Sequence, residues 1–414
     1  MMTCPTDDAN RRALEAVASA RPVLLDILPA REVVPDLGPH DLLHAGPPLR
    51  PGDLLCGALR GAIEGSLALA GVAGGEMRAG ESAPPAPWRL RSADECNALG
   101  TFGGILASSS AVFVVENSAT GVRTFSAINE GRGAALRYGS TAPETLDRIR
   151  WLDGDFARLL GAAIRKAGPI EILPLLEQAL QMGDDGHSRQ KAASALFLAL
   201  VAPALTEVSP DLRTASRALA FLGQNDFFFL PIAMAAAKSA MRAAEGTEGS
   251  TIVSAIAFNG ARCGIRLAGT RGWFTAPVPQ VEGAYFRGRE ARDAGPVIGD
   301  SEIMETMGLG ACAMAGAPAL ARYVGGTVGE ARRFTEDMYA ITLAEHPRLR
   351  IPALDGRGTP FGIDARKVIA TGVCPVFNTG IAHRDPGVGQ IGAGYGRVPI
   401  ECFAASLAAS GGRP

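Results

Sequence analysis

The chain has 414 residues, long for one simple core, so two or three domains are expected. At 47% hydrophobic and 20% charged it has the makeup of an ordinary globular chain, and 40 basic against 42 acidic residues leave a formal charge of −2. That balance excludes a global pull toward nucleic acid or an anionic membrane, so small molecules and other proteins are the expected partners.

The opening residues, MMTCPTDDANRRALEAV, are charged and lack an apolar h-region, which places the protein in the cytoplasm. Asp7 and Asp8 stand where they can cap a first helix to about Ala20, and PVLLDIL (22 to 28) follows as a buried strand. After the short run LLHAGPP (42 to 48), Asp53 opens a helix to about Gly71; this β-loop-α order suggests a parallel α/β layer. A loop covers 73 to 87, and AVFVVEN (111 to 117) and RTFSAIN (123 to 129) are strands about a Thr120-Gly121 turn. Two uncharged stretches, 96 to 115 and 306 to 321, are too polar or too short for the ~20 apolar residues of a membrane span.

From Pro143 to about Glu245 the 3.6-residue apolar spacing, rich in Ala and Leu, predicts about five helices. In QMGDDGHSRQ (181 to 190), Gly183 stops one helix and Asp184 or Asp185 caps the next; Gly223 with Asn225 or Asp226 repeats the design. Beyond Gly249 strands return. TIVSAIAF, Asn259-Gly260 and ARCGIRLAG form a hairpin with the pair that type I′ turns prefer, its two arginines, Arg262 and Arg266, on a solvated or anion-binding face. A strand at 273 to 278, a Gly/Ala helix from about Ser301 to Tyr323, an amphipathic helix near Gly329 to His346 and a terminal helix ECFAASLAAS complete the chain. The expected class is α/β (α+β): two mixed α/β domains, 1–142 and 246–414, with an all-helical domain, 143–245, inserted between them.

Familiar chemistries are mostly set aside. GVGQIG (387 to 392) fits G-x-G-x-x-G, but Pro399 spoils the following helix and no acidic partner follows at the needed distance, so a dinucleotide site is rejected. There is no P-loop, no G-x-S-x-G elbow and no aromatic-interleaved basic stripe. The seven cysteines are spread out and unpaired in motif, reading as reduced thiols, and the five histidines are scattered, so neither a metal nor a cofactor is expected.

What remains is polar clusters at element boundaries. The segment NTGIAHRDPGVGQIGAG (378 to 394) concentrates Asn378, Thr379, His383, Gly389 and Gln390 on a bare backbone that can approach a small molecule and offer N–H donors. Asp184, His187, Ser188 and Arg189 sit at a helix start suited to an anion, the plain alternative being a capped turn with Arg189 in solvent. His44 and Gly46, Asn129 and Glu130, and Asn259 occupy turns that either line a ligand crevice or only satisfy backbone groups. Asp300, Glu302, Glu305 and Thr306 crowd a helix start, where acids fit the helix dipole without catalytic work.

LLHAGPP, ENSATGVRTFSAINEG, QMGDDGHSRQ, EGSTIVSAIAFNG, WFTAPVP, GDSEIMETMGLG, LDGRGTPFGID and NTGIAHRDPGVGQIGAG together resemble, in the same order, the AllG family (YlbE/YahG-like). The resemblance covers nearly the whole chain. It implies two α/β domains with a helical one, and a component of a three-part oxamate carbamoyltransferase working with AllF (FdrA-like) and AllH-like subunits. The implied reaction is cleavage of oxalurate by phosphate to oxamate and carbamoyl phosphate in allantoin nitrogen catabolism. Such chemistry needs anion pockets, oxyanion donors and a proton source, for which Arg189, the 378 to 394 backbone and either His187 or His383 are the candidates. One departure stands out: where relatives carry a histidine-rich stretch, this chain has Ala93-Asp94-Glu95-Cys96-Asn97. A non-catalytic interaction subunit and an amidohydrolase that uses water are the alternatives, and self-association stays open.

Overall fold

The strand Pro22–Pro29 organises the first half of the chain in this computed structural model, which describes residues 4–72, 75, 77 and 80–410. It lies inside a five-stranded sheet in the order Ala98–Leu99, Val122–Ala127, Ala111–Asn117, Pro22–Pro29, Ile170–Glu171. All pairs are antiparallel except the first, so the expected parallel layer is reduced to short pairs. The second parallel pair joins Asp41–His44 to Arg89–Ser92 in a small three-stranded sheet. Part of the 73 to 87 loop lies outside the described residues.

Period-two geometry explains why AVFVVEN is apolar throughout. Phe113 and Val115 point into the largest core with the helices beyond Pro143, while Val112 and Val114 point the other way onto Leu43, Ala98 and Cys96. Six helices follow: Pro143–Trp151, Ala157–Ala167, Ile172–Gln181, Lys191–Val208, Leu212–Gln224 and Leu230–Arg242. Phe197, Phe228 and Leu160 share one core with Leu24 and Phe113, the rings of Phe113 and Phe228 meeting edge to face at 5.8 Å. The Leu230–Arg242 helix is almost wholly buried, and strand hydroxyls dock it: Ser126 donates to the Pro231 carbonyl and Thr124 to that of Ala235, each at 2.7 Å. Lys191–Val208 alone among the described helices is long and apolar enough to cross a bilayer; it packs through Phe197, Val201 and Leu205 and contains Pro203.

In the last third, Val253–Asn259 and Arg262–Leu267 form the expected hairpin within a four-stranded antiparallel sheet. Of its turn pair, Gly260 alone has a positive φ, +87°; the Asn259 side chain closes the turn by accepting from the backbone N–H groups of Ala261 and Arg262, so this is not type I′. Cys263, Ile265 and Leu267 are buried as the alternation requires. The other face is neither solvated nor anion-binding, because Arg262 pairs with Asp53 and Arg266 with Asp94 and Glu245. Asp53 is thereby spent, and the following helix starts at Gly57 instead.

Other boundaries moved for local reasons. The first helix begins at Pro5, a residue suited to a first turn, which puts Asp7 and Asp8 inside that turn. The expected Gly/Ala helix breaks into Ile303–Thr306, a 3-10 stretch Gly310–Gly316 and Pro318–Tyr323, since Gly308 and Gly310 adopt positive φ and Pro318 restarts the chain. Val328–Ile341 is capped by Thr327 and Glu330 and gives way to a strand, Thr342–Ile351, that holds His346. Gly223 lies within a helix and stops nothing. NTGIAHRDPGVGQIGAG is an antiparallel hairpin, Val376–Ala382 with Gln390–Arg397.

Candidate active site

The loop between Ile172–Gln181 and Lys191–Val208 is built by two adjacent acids. Gly183, at φ +89°, ends the first helix as expected. Asp184 turns inward and accepts the N–H of Ala193, nine residues on, so part of the helix start is already capped. Burial pushes its pKa up to about 7. Asp185 is the hub: its carboxylate accepts from the backbone N–H of His187 at 3.1 Å, Ser188 at 3.4 Å and Arg189 at 2.8 Å, and from Asn378 Nδ2 at 2.8 Å. Ser188 Oγ donates to Asn378 Oδ1 at 2.6 Å, tying the loop to the 376–382 strand.

With the backbone so held, the side chains of His187, Ser188, Arg189 and Lys191 face a cavity of about 760 Å³. Its other walls come from 129–138, from 225–230, and from the last third through Ser301, Tyr323, Thr379, Gly380 and 388–390. Arg132, Arg137, Arg189 and Lys191 lie on the lining with Asp226, and behind it Arg137 meets Glu130 at 3.8 Å and Arg189 meets Asp184 at 3.4 Å. Arg132 pairs with Asp226. Arg189 donates through Nε to the Gly183 carbonyl at 3.0 Å, and among the described residues its two Nη groups have no hydrogen-bond acceptor. Arg137 is buried and gives Nη2 to the Gly131 carbonyl at 2.8 Å, leaving Nη1 without a hydrogen bond. Cationic side chains thus line one part of the cavity. Its aromatic side is set by the Phe102–Tyr138 pair and by Gln390, which accepts from the Tyr138 hydroxyl at 3.3 Å and donates to that of Tyr323 at 3.0 Å.

His187 is 2% exposed and bonded through Nδ1 to Glu305 Oε1 at 2.9 Å. Burial alone would lower its pKa; the Glu305 carboxylate, helped by Glu302 and Asp185, outweighs that and raises it to about 9. The carboxylate thus favours the protonated ring, where the ordinary pKa of histidine would leave it half-titrated near neutral pH. Burial raises Glu302 to about 8. These acids, read from sequence as helix-dipole ornaments, are the wall behind His187; the available signal was three carboxylates in an otherwise apolar stretch. Arg132, Arg137, Lys191 and the tyrosines carried no sequence signal at all.

Of the residues singled out from sequence, Asn129, His187, Arg189, Thr379, Gly389 and Gln390 line this cavity. Asn378 and Asp184 stand behind the lining as struts. Glu130 accepts the N–H groups of Leu136 and Arg137 and shapes the Arg137 turn. His44, 1% exposed, donates to the Ala45 carbonyl; Gly46 donates to Asp300 at 2.7 Å; Asn259 donates to the Pro47 carbonyl at 2.8 Å. These three hold the junction between the small first sheet and the 253–267 hairpin, off the cavity. His383 also lies off it, its Nδ1 accepting the Asp385 N–H at 2.9 Å. No cluster of three or more metal-ligating side chains exists among the described residues.

A family model described as oxamate carbamoyltransferase subunit AllG matches residues 88–301. The oxamate carbamoyltransferase subunit AllG of Escherichia coli (strain K12) is 38% identical over 405 residues, covering 97% of this chain and 96% of that one. The chain belongs to the AllG family. Protein YahG of the same organism is also 38% identical, over 95% of this chain and 84% of its own length. A crystal structure of a conserved protein of unknown function from Enterococcus faecalis V583 superposes with a TM-score of 0.93 at 36% identity, covering 98% of this chain and 97% of that one. The AllG family match takes in the cavity segments 129–138, 187–191 and 225–230; the walls beyond Ser301 fall within the two longer alignments.

Proposed function

We propose that the cavity moves a carbamoyl group between an amide nitrogen and phosphate, with oxalurate giving oxamate and carbamoyl phosphate. The observation that carries this reading is the buried His187, bonded to Glu305 on its inner side, at the wall of a cavity that Arg137, Arg189 and Lys191 also line. Both substrates are anions, and Arg189 with Lys191 on one wall and Arg137 on the other supply two places for them. A phosphate oxygen attacks the carbamoyl carbon, the carbamoyl C–N bond breaks, and the departing nitrogen takes the proton from His187 Nε2. Thr379, buried on the lining with its hydroxyl free of protein partners among the described residues, is placed to donate to the carbonyl oxygen as it gains charge.

In this reading the chain is a catalytic subunit of a cytoplasmic complex with AllF-like and AllH-like partners. Phe286, Tyr323 and Val388, each roughly 40% exposed on the cavity lining, favour a further protein surface over the mouth. The test is carbamoyl phosphate formation from oxalurate and phosphate, by the chain alone and with its partners. Loss of product in His187→Ala and Arg189→Ala supports the proposal. Wild-type rates in both end it, and turnover in phosphate-free buffer establishes an amidohydrolase instead.

A further inference from the structure

We propose that Glu305 is the positioning residue of this site: its carboxylate holds the His187 ring by Nδ1 so that Nε2–H is presented to the bound anion. The inference rests on the reading of His187 as the proton-bearing group.

The two residues are 118 apart in sequence and meet in the interior, with side-chain exposures of 3% and 0%. Glu305 Oε1 takes the ring at 2.9 Å and the Ala311 N–H at 3.2 Å. Oε2 is buried without any hydrogen-bond partner, and no arginine or lysine pairs with this carboxylate among the described residues, so His187 is its counter-charge. The backbone is cut to admit it: Gly310 sits at φ +60°, and a Cβ there would overlap the carboxylate. A buried acid fixed by one backbone N–H and a glycine cradle, with a single cation as its partner, is what orients an imidazole. With Nδ1 occupied, Nε2 is the nitrogen left to face the cavity, and among the described residues it has no protein partner.

The charged groups around the ring are Glu302 and Glu305 on the turn behind it, Asp185 and Arg189 on its own loop, and Arg132, Arg137, Lys191 and Asp226 on the cavity lining. Removing the Glu305 charge takes away the nearest opposite charge, and burial then favours the neutral ring against the smaller pulls of Glu302 and Asp185. Glu305→Gln keeps the shape and removes that charge.

Inorganic phosphate is the probe, titrated calorimetrically into the full-length chain at pH 6 and pH 8, with the histidine ring signals followed by NMR and His187 assigned from its own variant. Taking variant over wild type at each pH cancels the titration of phosphate itself. The expected result in Glu305→Gln is about tenfold weaker binding at pH 8, the loss of one charge-assisted contact, and a loss no larger than that at pH 6. His187 is expected to stay protonated through pH 8 in the wild type and to titrate below pH 7 in Glu305→Gln. Unchanged affinity at pH 8, or an unmoved His187 titration, overturns the proposal. If Glu305→Gln does not fold, the wild-type signal still decides: titration of His187 below pH 7 sinks it. Because binding and NMR are read rather than turnover, a positive result without carbamoyl phosphate would remove the proposed reaction and leave Glu305 in its role.

Discussion

Two buried charge clusters in this molecule look alike in composition and differ in what they leave open. Around Asp94, Lys238, Arg242 and Arg266 converge, with Glu245 closing the ring from the far side. Burial works against the Asp94 charge, but the three cations hold its pKa well below the usual carboxylate range. Every charge there has an opposite partner and none of these side chains lines the cavity. Both clusters hold buried atoms without a hydrogen bond, Arg242 Nε and Arg266 Nε in the first and Glu305 Oε2 in the second, but around His187 the acids Glu302 and Glu305 face a ring that meets open volume. Closed pairing marks architecture; an unmet group at a cavity marks chemistry. Asp94 lies in the 93–97 segment, and that segment is part of the architecture.

The largest expected effect comes from breaking the closed cluster. Asp94→Ala strands three buried cations and should cost about 3–5 kcal/mol in chemical denaturation, the usual result of removing one side of a buried ion pair. A loss below about 1 kcal/mol would erase the distinction drawn here.

The open cluster should show itself next, in the pH dependence of stability. Asp300 is raised to about 6, Asp153 and Asp184 to about 7, Glu302 to about 8 and His187 to about 9. Each holds a proton in the folded state that the unfolded chain releases earlier, so the stability is fully present below the unfolded pKa and drains away as pH climbs through these values. His44 and His346, lowered by burial to about 4, work in the opposite sense and lose stability as pH falls from 6.5. Melting temperature should therefore already fall between pH 5 and pH 6, where four raised acids outweigh two lowered histidines, and decline further toward pH 9; a flat or rising curve over that interval would show these buried acids to be ionised.

Arg189→Ala should weaken phosphate binding by roughly ten- to a hundredfold, as expected for a hydrogen bond to a charged group, with the denaturation midpoint little changed. Equal affinity would mean that the Arg189 guanidinium is not the anchor. The smallest effect is expected at His383, whose ring serves the Asp385 turn off the cavity. His383→Ala should leave phosphate affinity as it is, and a marked loss would shift the proton donor to the glycine hairpin.

Much of the fold was legible from sequence because local rules suffice where a pattern repeats. PVLLDIL, AVFVVEN and the 253–267 hairpin are strands by composition and alternation, and Gly183 ends its helix because no other residue enters positive φ so cheaply. The long Gly/Ala helix failed since small residues have helix propensity but bury too little to enforce it, and two positive-φ glycines with Pro318 broke it. Of the site, His187, Arg189, Thr379 and Gln390 were visible as polar residues at boundaries. Glu305 was seen and misjudged, because nothing along the chain announces a partner 118 residues away.

The sequence by itself determined the periodicities, the glycine stops and, through eight ordered motifs, membership of the AllG family; these are properties of neighbours in the chain. Only the tertiary structure decided which of two histidines faces the cavity, which acids are spent on arginines, and which proton His187 keeps. Those outcomes depend on desolvation and on charges brought together from distant segments, and no local pattern of residues encodes either.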